Sequence, residues 1–248
     1  MNQQPLVSIC TVTHQRPGLL RLLEERINSQ TYPLEKIQWV ILDDSPQPHK
    51  YYQKQLPCNT KLSIKYIHLS EKLPLGKKRN ESHLYCDGEI FVYMDDDDFY
   101  PPSRVEHAVK SLLQSDKEIA GSSILPILFI ENSELWIAGP YSKNHATAGT
   151  FAFKRSFLEN NTYTNSDMSG EEKEFLKNYT IPMIQLDPFQ TIICISHDSN
   201  TYDKHSMLPE HGQDYNPEYK MKKYNHLTQE QAKSLKAISS KHLAALHS

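Results

Sequence analysis

Short apolar, β-branched runs alternate with helical patterns through about the first 115 residues, and this alternation constrains the fold more than any other feature of the chain. Val7–Val12 (VSICTV), Ile37–Leu42 (IQWVIL), Leu62–Leu69 (LSIKYIHL) and Glu89–Met94 (EIFVYM) read as four strands. Pro17 follows the first of them where a first helical turn favours proline, and Leu20, Leu23 and Ile27 then recur at helical spacing. The basic stretch Gly76–Asn80 opens a helix reaching about Tyr85. Ser103 and Glu106 stand at capping-box spacing before a helix whose apolar face is Val105, Ala108, Val109 and Leu112. Alternation with short connections predicts an α/β fold, a mostly parallel sheet flanked by helices. In open sheets of this kind ligands sit beyond the carboxyl ends of the strands. The polar clusters after strands one, two and four therefore converge on one crevice.

The second half changes character. Ile124–Ile130, Leu135–Ala138 and Gly149–Lys154 read as strands, Gly170–Tyr179 as a helix, and Thr191–Ser196 as a late apolar strand. Residues 197–224 are polar and loop-like. Thr228 and Gln231 form a second capping-box pattern, opening a helix to about Leu246 with Ala232, Leu235 and Ile238 on one face. With no repeat and no Gly/Ser linker, residues 1–225 read as a single domain and 226–248 as a C-terminal helix.

A net charge of −3 supplies no basic stripe for nucleic acid, so such a partner is not expected. No apolar run approaches the roughly 18 to 20 residues of a membrane span. The N-terminus lacks the pattern of a signal peptide, and the four cysteines have no metal-ligand spacing. Cys10 and Cys194 lie in apolar runs, as buried reduced thiols do. A cytoplasmic location is the expectation.

Asp95-Asp96-Asp97-Asp98 follows the fourth strand directly and is the strongest chemical signal. Alternate residues of an extended segment share a face, so Asp95 and Asp97 point together into the crevice. Adjacent carboxylates repel unless a cation neutralises them, and hard divalent ions take carboxylate oxygens together with substrate phosphates. Asp95, Asp97 and Glu106 also fall at positions one, three and twelve of an EF-hand loop. Tyr100 stands where that loop requires glycine, which excludes it.

VSICTVTHQRP, then VILDDS, then GKKRNESHLYCDGEIFVYMDDDD resembles the donor-binding half of glycosyltransferase family 2, which has the GT-A fold. The likeness covers about Val7 to Pro102; His14-Gln15 departs from the Tyr-Asn more usual there. The resemblance implies a nucleotide-sugar-binding half over 1–102 and an acceptor-side half over 103–225. It implies an enzyme moving a sugar, with inversion, from a nucleotide-diphosphate-sugar (UDP- or GDP-linked) to a glycan or other hydroxyl acceptor. It assigns the nucleotide to Thr13 and Arg16, to Asp43 or Asp44, to Arg79 with Lys77 or Lys78, and to Asp95 and Asp96. The DXD motif is Asp95 and Asp97, with Mn²⁺ or Mg²⁺ on Asp97 and Asp95.

Transfer to a hydroxyl needs a group that accepts its proton. Gly170-Glu171-Glu172 resembles the family segment that carries this base, and Glu172 takes its usual place, with Glu171 as the alternative. His197, after the last apolar strand, is by resemblance a further metal ligand, with His205 in reserve and Asp167 as a reserve base. Trp136 and His145 are expected toward the acceptor side. Two rivals are a sugar-phosphate nucleotidyltransferase and a non-catalytic nucleotide-sugar or glycan-binding module. The first lacks its Gly-rich basic loop after strand one. The second has no need of a base.

Overall fold

The computed structural model describes residues 4–54, 61–164, 171–198, 200, 202–209 and 217–247. Its main sheet is centred on β1 (Val7–Thr13), which pairs in parallel with β2 (Ile37–Asp43) and β4 (Ile90–Tyr93); β3 (Ser63–His68) extends it beyond β2. All seven residues of β2 and all four of β4 are buried, because helices cover both faces. On one face Ile9, Trp39 and Val92 pack with Leu20, Leu23 and Ile27 of α1 (Pro17–Asn28). On the other, Cys10, Val40, Phe91 and Tyr93 pack with Phe153, Tyr163 and Phe175.

Between these strands run α2 (Lys50–Gln53) and α3 (Leu75–His83), and α4 (Arg104–Leu113) follows β4. The main sheet continues through β8 (Ala152–Lys154), antiparallel to its neighbours, to β5 (Ile119–Gly121) and β9 (Ile184–Gln185), in the order β3-β2-β1-β4-β8-β5-β9. A four-stranded second sheet has the order β10-β6-β7-β11. In it β6 (Leu125–Phe129) and β7 (Glu134–Ala138) form a hairpin between β10 (Cys194–Ser196) and β11 (Lys222–Lys223). The α/β reading holds, with this second sheet added to it.

Several local expectations change. The capping box at Ser103 and Glu106 does not form: Ser103 sits at φ −80°, ψ −6°, helical values that turn its hydroxyl from the cap. Glu106 instead accepts from Thr31 Oγ1 at 2.6 Å. The expected helix Gly170–Tyr179 shrinks to α5 (Glu172–Phe175), and Lys177, Asn178 and Tyr179 follow at φ 49°, 56° and 58°. Gly170 and Asp167 lie outside the described residues. The late strand starts only at Cys194, because Asp187 caps and Pro188 opens a short helix, α6 (Pro188–Thr191). The strand expected at Gly149–Lys154 begins with a 3₁₀ turn, Ala148–Thr150.

The last helix, α7 (Gln229–Leu246), has the predicted Thr228/Gln231 capping box with both halves made. Its Leu235 and Ile238 are buried against Leu128, Ile130 and Ile195, and Lys241 reaches Glu25 of α1 at 3.0 Å. Cys10, Cys86 and Cys194 are buried free thiols, and Cys58 lies outside the described residues. Among the described residues no helix is long and apolar enough to cross a membrane.

Candidate functional site

The carboxyl ends of β1, β2 and β4 open on a cleft of about 980 Å³, and segments after β7, at α5 and after β10 complete its walls. A smaller recess of about 550 Å³ adjoins it, sharing Thr13, Gln15, Arg16 and Pro17 and adding Asp43 and Tyr51. Gln15 turns the chain out of β1 at φ 55°, with its N–H on Ser45 Oγ at 2.7 Å.

The acidic run forms the floor. Asp95 and Asp97 are partly open to the cleft, while Asp96 and Asp98 are buried, so the predicted alternation holds. Asp98 turns away to accept the Ile195 N–H at 2.9 Å, which ties the acidic turn to β10. Tyr100 closes the same turn by accepting the Asp95 N–H at 2.8 Å. Thr13 donates its hydroxyl to Asp96 at 2.5 Å. Arg16 sends one nitrogen to both Asp96 (3.0 Å) and Asp97 (2.8 Å).

These neighbours split the carboxylates electrically. Burial, then the charge of Asp97, pushes Asp96 up to about 7 and Asp98 up to about 8. Burial acts upward on Asp97 too, but the His197 hydrogen bond and the Arg16 and Lys204 charges outweigh it and hold it well below the usual carboxylate range. Asp97 is therefore ionised, which is the form a metal ion needs.

The basic segment resolves into two inward residues and one outward. Lys78 and Arg79 are buried on the sheet side of α3, whereas Lys77 is exposed and does not line the cleft. Lys78 Nζ reaches Asp44 Oδ1 at 2.5 Å, and Asp44 also accepts from the Leu73 N–H and faces His14 Nδ1, each at 2.9 Å. Asp43 is committed locally, to Ser45 and to the Tyr66 hydroxyl at 2.6 Å. Arg79 bridges the floor to α5: its Nε donates to Glu171 at 3.0 Å and its Nη1 to Asp95 at 3.2 Å.

Glu171 and Glu172 thereby take different duties. Glu171 is held by Arg79, and Glu172 Oε1 accepts from the Ala148 N–H at 3.1 Å. Burial, then the neighbouring Glu171 charge, raises Glu172 to about 7.

Other expected residues move. His197 is buried behind Asp97, its Nε2 3.7 Å from that carboxylate and 2.9 Å from Asn200 Nδ2. His205 lies against Phe129, Glu131 and Asp203 and does not line the cleft. Trp136 is a core residue of β7, while His145 does line the cleft. The motifs do not reveal Tyr141, Asn200, Tyr202 or Lys204, which complete the lining from segments without periodic pattern.

Among the described residues no three His, Cys, Asp or Glu side chains converge as a closed metal cage. The donor set fits a different arrangement. An ionised Asp97 opening on a roomy cleft, with Arg16 already standing as a cation against it, suits an ion that draws most of its shell from phosphate and water.

A mostly parallel sheet whose strand ends meet in a charged crevice defines an α/β protein with its candidate ligand site beyond those strand ends. The model of glycosyl transferase family 2 matches residues 8–180, and the chain belongs to that family. Its fold is that of GT-A enzymes of known structure. S. aureus TarS 1–349 superposes with a TM-score of 0.60 at 16% identity, over 76% of this chain and 60% of that one. A mannosyltransferase, PcManGT from Pyrobaculum calidifontis, in complex with GDP-Man and Mn²⁺, gives 0.61 at 16% identity, over 99% and 73%. TarS 1–349 in complex with UDP-GlcNAc gives 0.57 at 15% identity, over 78% and 59%. The chain thus spans about 60% of the TarS 1–349 length. No curated protein matches it significantly.

Proposed function

We propose that this chain is a metal-dependent, inverting glycosyltransferase that moves a sugar from a UDP- or GDP-linked donor to an acceptor hydroxyl. The observation that carries the reading is that one cleft holds the ionised Asp97, the cations Lys78 and Arg79, and Glu172 raised to about 7. In this reading Thr13, Asp43, Asp44 and Lys78 hold base and ribose, Lys78 being the inward one of the two lysines. Arg16 and Arg79 face the diphosphate, and Asp95 lies toward the ribose. Asp97 holds Mn²⁺ or Mg²⁺ with His197 behind it. The ion supplies neutralising charge for the diphosphate. Residues 1–102 serve the donor and 103–225 the acceptor.

Glu172 takes the proton of the acceptor hydroxyl as its oxygen attacks the anomeric carbon. The bond from that carbon to the diphosphate oxygen breaks, and the electron pair leaves on the diphosphate. A base titrating near the working pH is the efficient one. Glu171 keeps Arg79 in place, and the two together orient the donor end of the cleft.

A melting experiment with UDP and GDP, with and without Mn²⁺, tests the donor site. Ligand at 100 times its dissociation constant stabilises by about 2.7 kcal/mol, a shift of roughly 5 to 10 °C for a chain of this size. No shift with either nucleotide in the presence of metal sinks the reading.

A further inference from the structure

Tyr100 stands two residues beyond the acidic run, fully buried, and its hydroxyl joins two parts of the cleft that are distant in the chain. It accepts the Asp95 N–H at 2.8 Å and donates to the Gly149 carbonyl at 3.3 Å. Burial, with Asp95 and Asp98 nearby, holds the phenol well above its usual range, so it keeps the proton it donates. Asp95 opens the floor, and Gly149 is the middle residue of the 3₁₀ turn Ala148–Thr150. The amide at the head of that turn, the Ala148 N–H, is the one that donates to Glu172 at 3.1 Å. One hydroxyl therefore stands between the acidic floor and the carboxylate read as the base.

The far end of the turn is fixed by other means. Arg104, fully buried at the start of α4, donates from Nη2 to the Thr150 carbonyl at 2.9 Å and the Phe151 carbonyl at 2.8 Å. The Ser122 N–H donates to Thr150 Oγ1 at 3.0 Å, and that hydroxyl donates to the Thr147 carbonyl at 2.7 Å. None of these bonds uses Tyr100, so the turn keeps its form without the phenol. The near end lies directly on the floor: a methyl group on Gly149 would stand 3.1 Å from Asp95 Oδ2, too close to fit without a shift. Burial and the Glu171 charge raise Glu172, and the Ala148 amide opposes them. The turn thus governs where this carboxylate stands and how readily it takes a proton. Misplacing a reacting group by about 1 Å costs on the order of 10²-fold in rate.

We propose that Tyr100 is a positioning residue whose hydroxyl transmits the loading of the donor site to the turn that holds Glu172. A nucleoside diphosphate and its cation, bound on the floor, stiffen the acidic run. The Asp95 N–H then holds the phenol, and the phenol holds the Gly149 carbonyl. The base is fixed in place when a donor is present and is looser when the cleft is empty. Binding that orders one segment, and through it a second, couples the two without a change of shape. Phenylalanine at this position fills the same space and leaves the Asp95 N–H and the Gly149 carbonyl unbridged. The inference rests on the glycosyltransferase reading and adds to it a link between donor and base.

The test follows amide hydrogen exchange at Ala148 by NMR in the full chain, with UDP or GDP and Mn²⁺ present or absent. Nucleotide affinity is measured on the same samples by calorimetry. In the native protein, nucleotide and metal should slow this exchange about tenfold, the scale of one hydrogen bond. In Tyr100→Phe the slowing should vanish while nucleotide affinity stays nearly unchanged, a combination that a merely structural loss does not give. Gly149→Ala is the second variant, since its methyl group parts the turn from Asp95 with the phenol left in place, and the slowing should vanish there too. Slowing that survives in folded Tyr100→Phe, or in Gly149→Ala where that variant alone folds, overturns the proposal. So does nucleotide binding that leaves the native Ala148 exchange unchanged. If neither nucleotide binds, the donor reading fails, and the bridge is judged in the free protein. There Tyr100→Phe should speed Ala148 exchange about tenfold, and an unchanged rate overturns the bridge as well.

Discussion

Arg16 stands against Asp97 at 2.8 Å, a guanidinium nitrogen at the carboxylate assigned to the metal. The Asp97 and Asp96 charges raise the Arg16 pKa against the opposing effect of burial. A divalent ion must therefore displace this cation or share the carboxylate with it.

Arg16→Gln should tighten Mn²⁺ binding in the absence of nucleotide. A hydrogen bond to a charged group is worth about 1.5–3 kcal/mol, so a gain of roughly tenfold is expected. Electron paramagnetic resonance of free Mn²⁺ measures it directly. The same variant should weaken nucleoside diphosphate binding, because the displaced guanidinium is then missing from the phosphates. Weaker Mn²⁺ binding in the variant contradicts the competition.

Asp97→Asn should abolish the Mn²⁺-dependent part of the nucleotide melting shift while leaving the fold. The amide keeps the shape of the side chain but is a poor ligand for a hard cation. A shift that keeps its full metal dependence moves the ion to other residues.

Glu172→Gln should lower kcat by about 10²- to 10⁴-fold with donor affinity nearly unchanged. Glu171→Gln should behave differently, because it strips a buried partner from Arg79. Breaking a buried pair costs on the order of 3–5 kcal/mol, so lower stability and weaker donor binding are expected there. If Glu172→Gln proves mild in single-turnover assays, the base lies elsewhere.

The pH dependence has a definite sign. With Glu172 at about 7, kcat/KM should rise with pH through that value as the base ionises. Stability of the ligand-free protein should run the other way. Asp96, Asp98 and Glu172 are raised in the fold to about 7, 8 and 7, so their stabilising effect is full below the ordinary carboxylate pKa and lost as pH climbs through these values. Histidines held neutral in the fold, His83 among them, oppose this only below about pH 6.5. Melting measured from pH 6.5 to 8.5 should therefore fall, and Asp98→Asn should flatten the slope. A rising curve in that window contradicts the assigned shifts.

The strand-end side of the cleft was legible in the sequence because apolar runs mark it. Thr13, Asp43 and the four aspartates each end or follow an apolar run, and a sheet delivers such residues to one edge. Helix phase was not legible in the same way. Gly76-Lys77-Lys78-Arg79 does not say which lysine faces the sheet until α3 is known to start at Leu75, which turns Lys78 inward and Lys77 out. The split between Glu171 and Glu172 depends on Arg79, 92 positions away from Glu171 in the chain. Tyr141 and Tyr202 reach the cleft from loops, where no periodicity ties one to the other.

The left-handed turn at Lys177, Asn178 and Tyr179 also marks where this protein can be made hardier, beside the His145 ring that lines the cleft. Lys177→Gly removes the side-chain penalty of that backbone and should raise the melting temperature. The net gain is under about 1 kcal/mol, because glycine frees the unfolded chain as well. The relaxed turn would grip Tyr179 less firmly, and a thermostability screen blind to turnover would select the change.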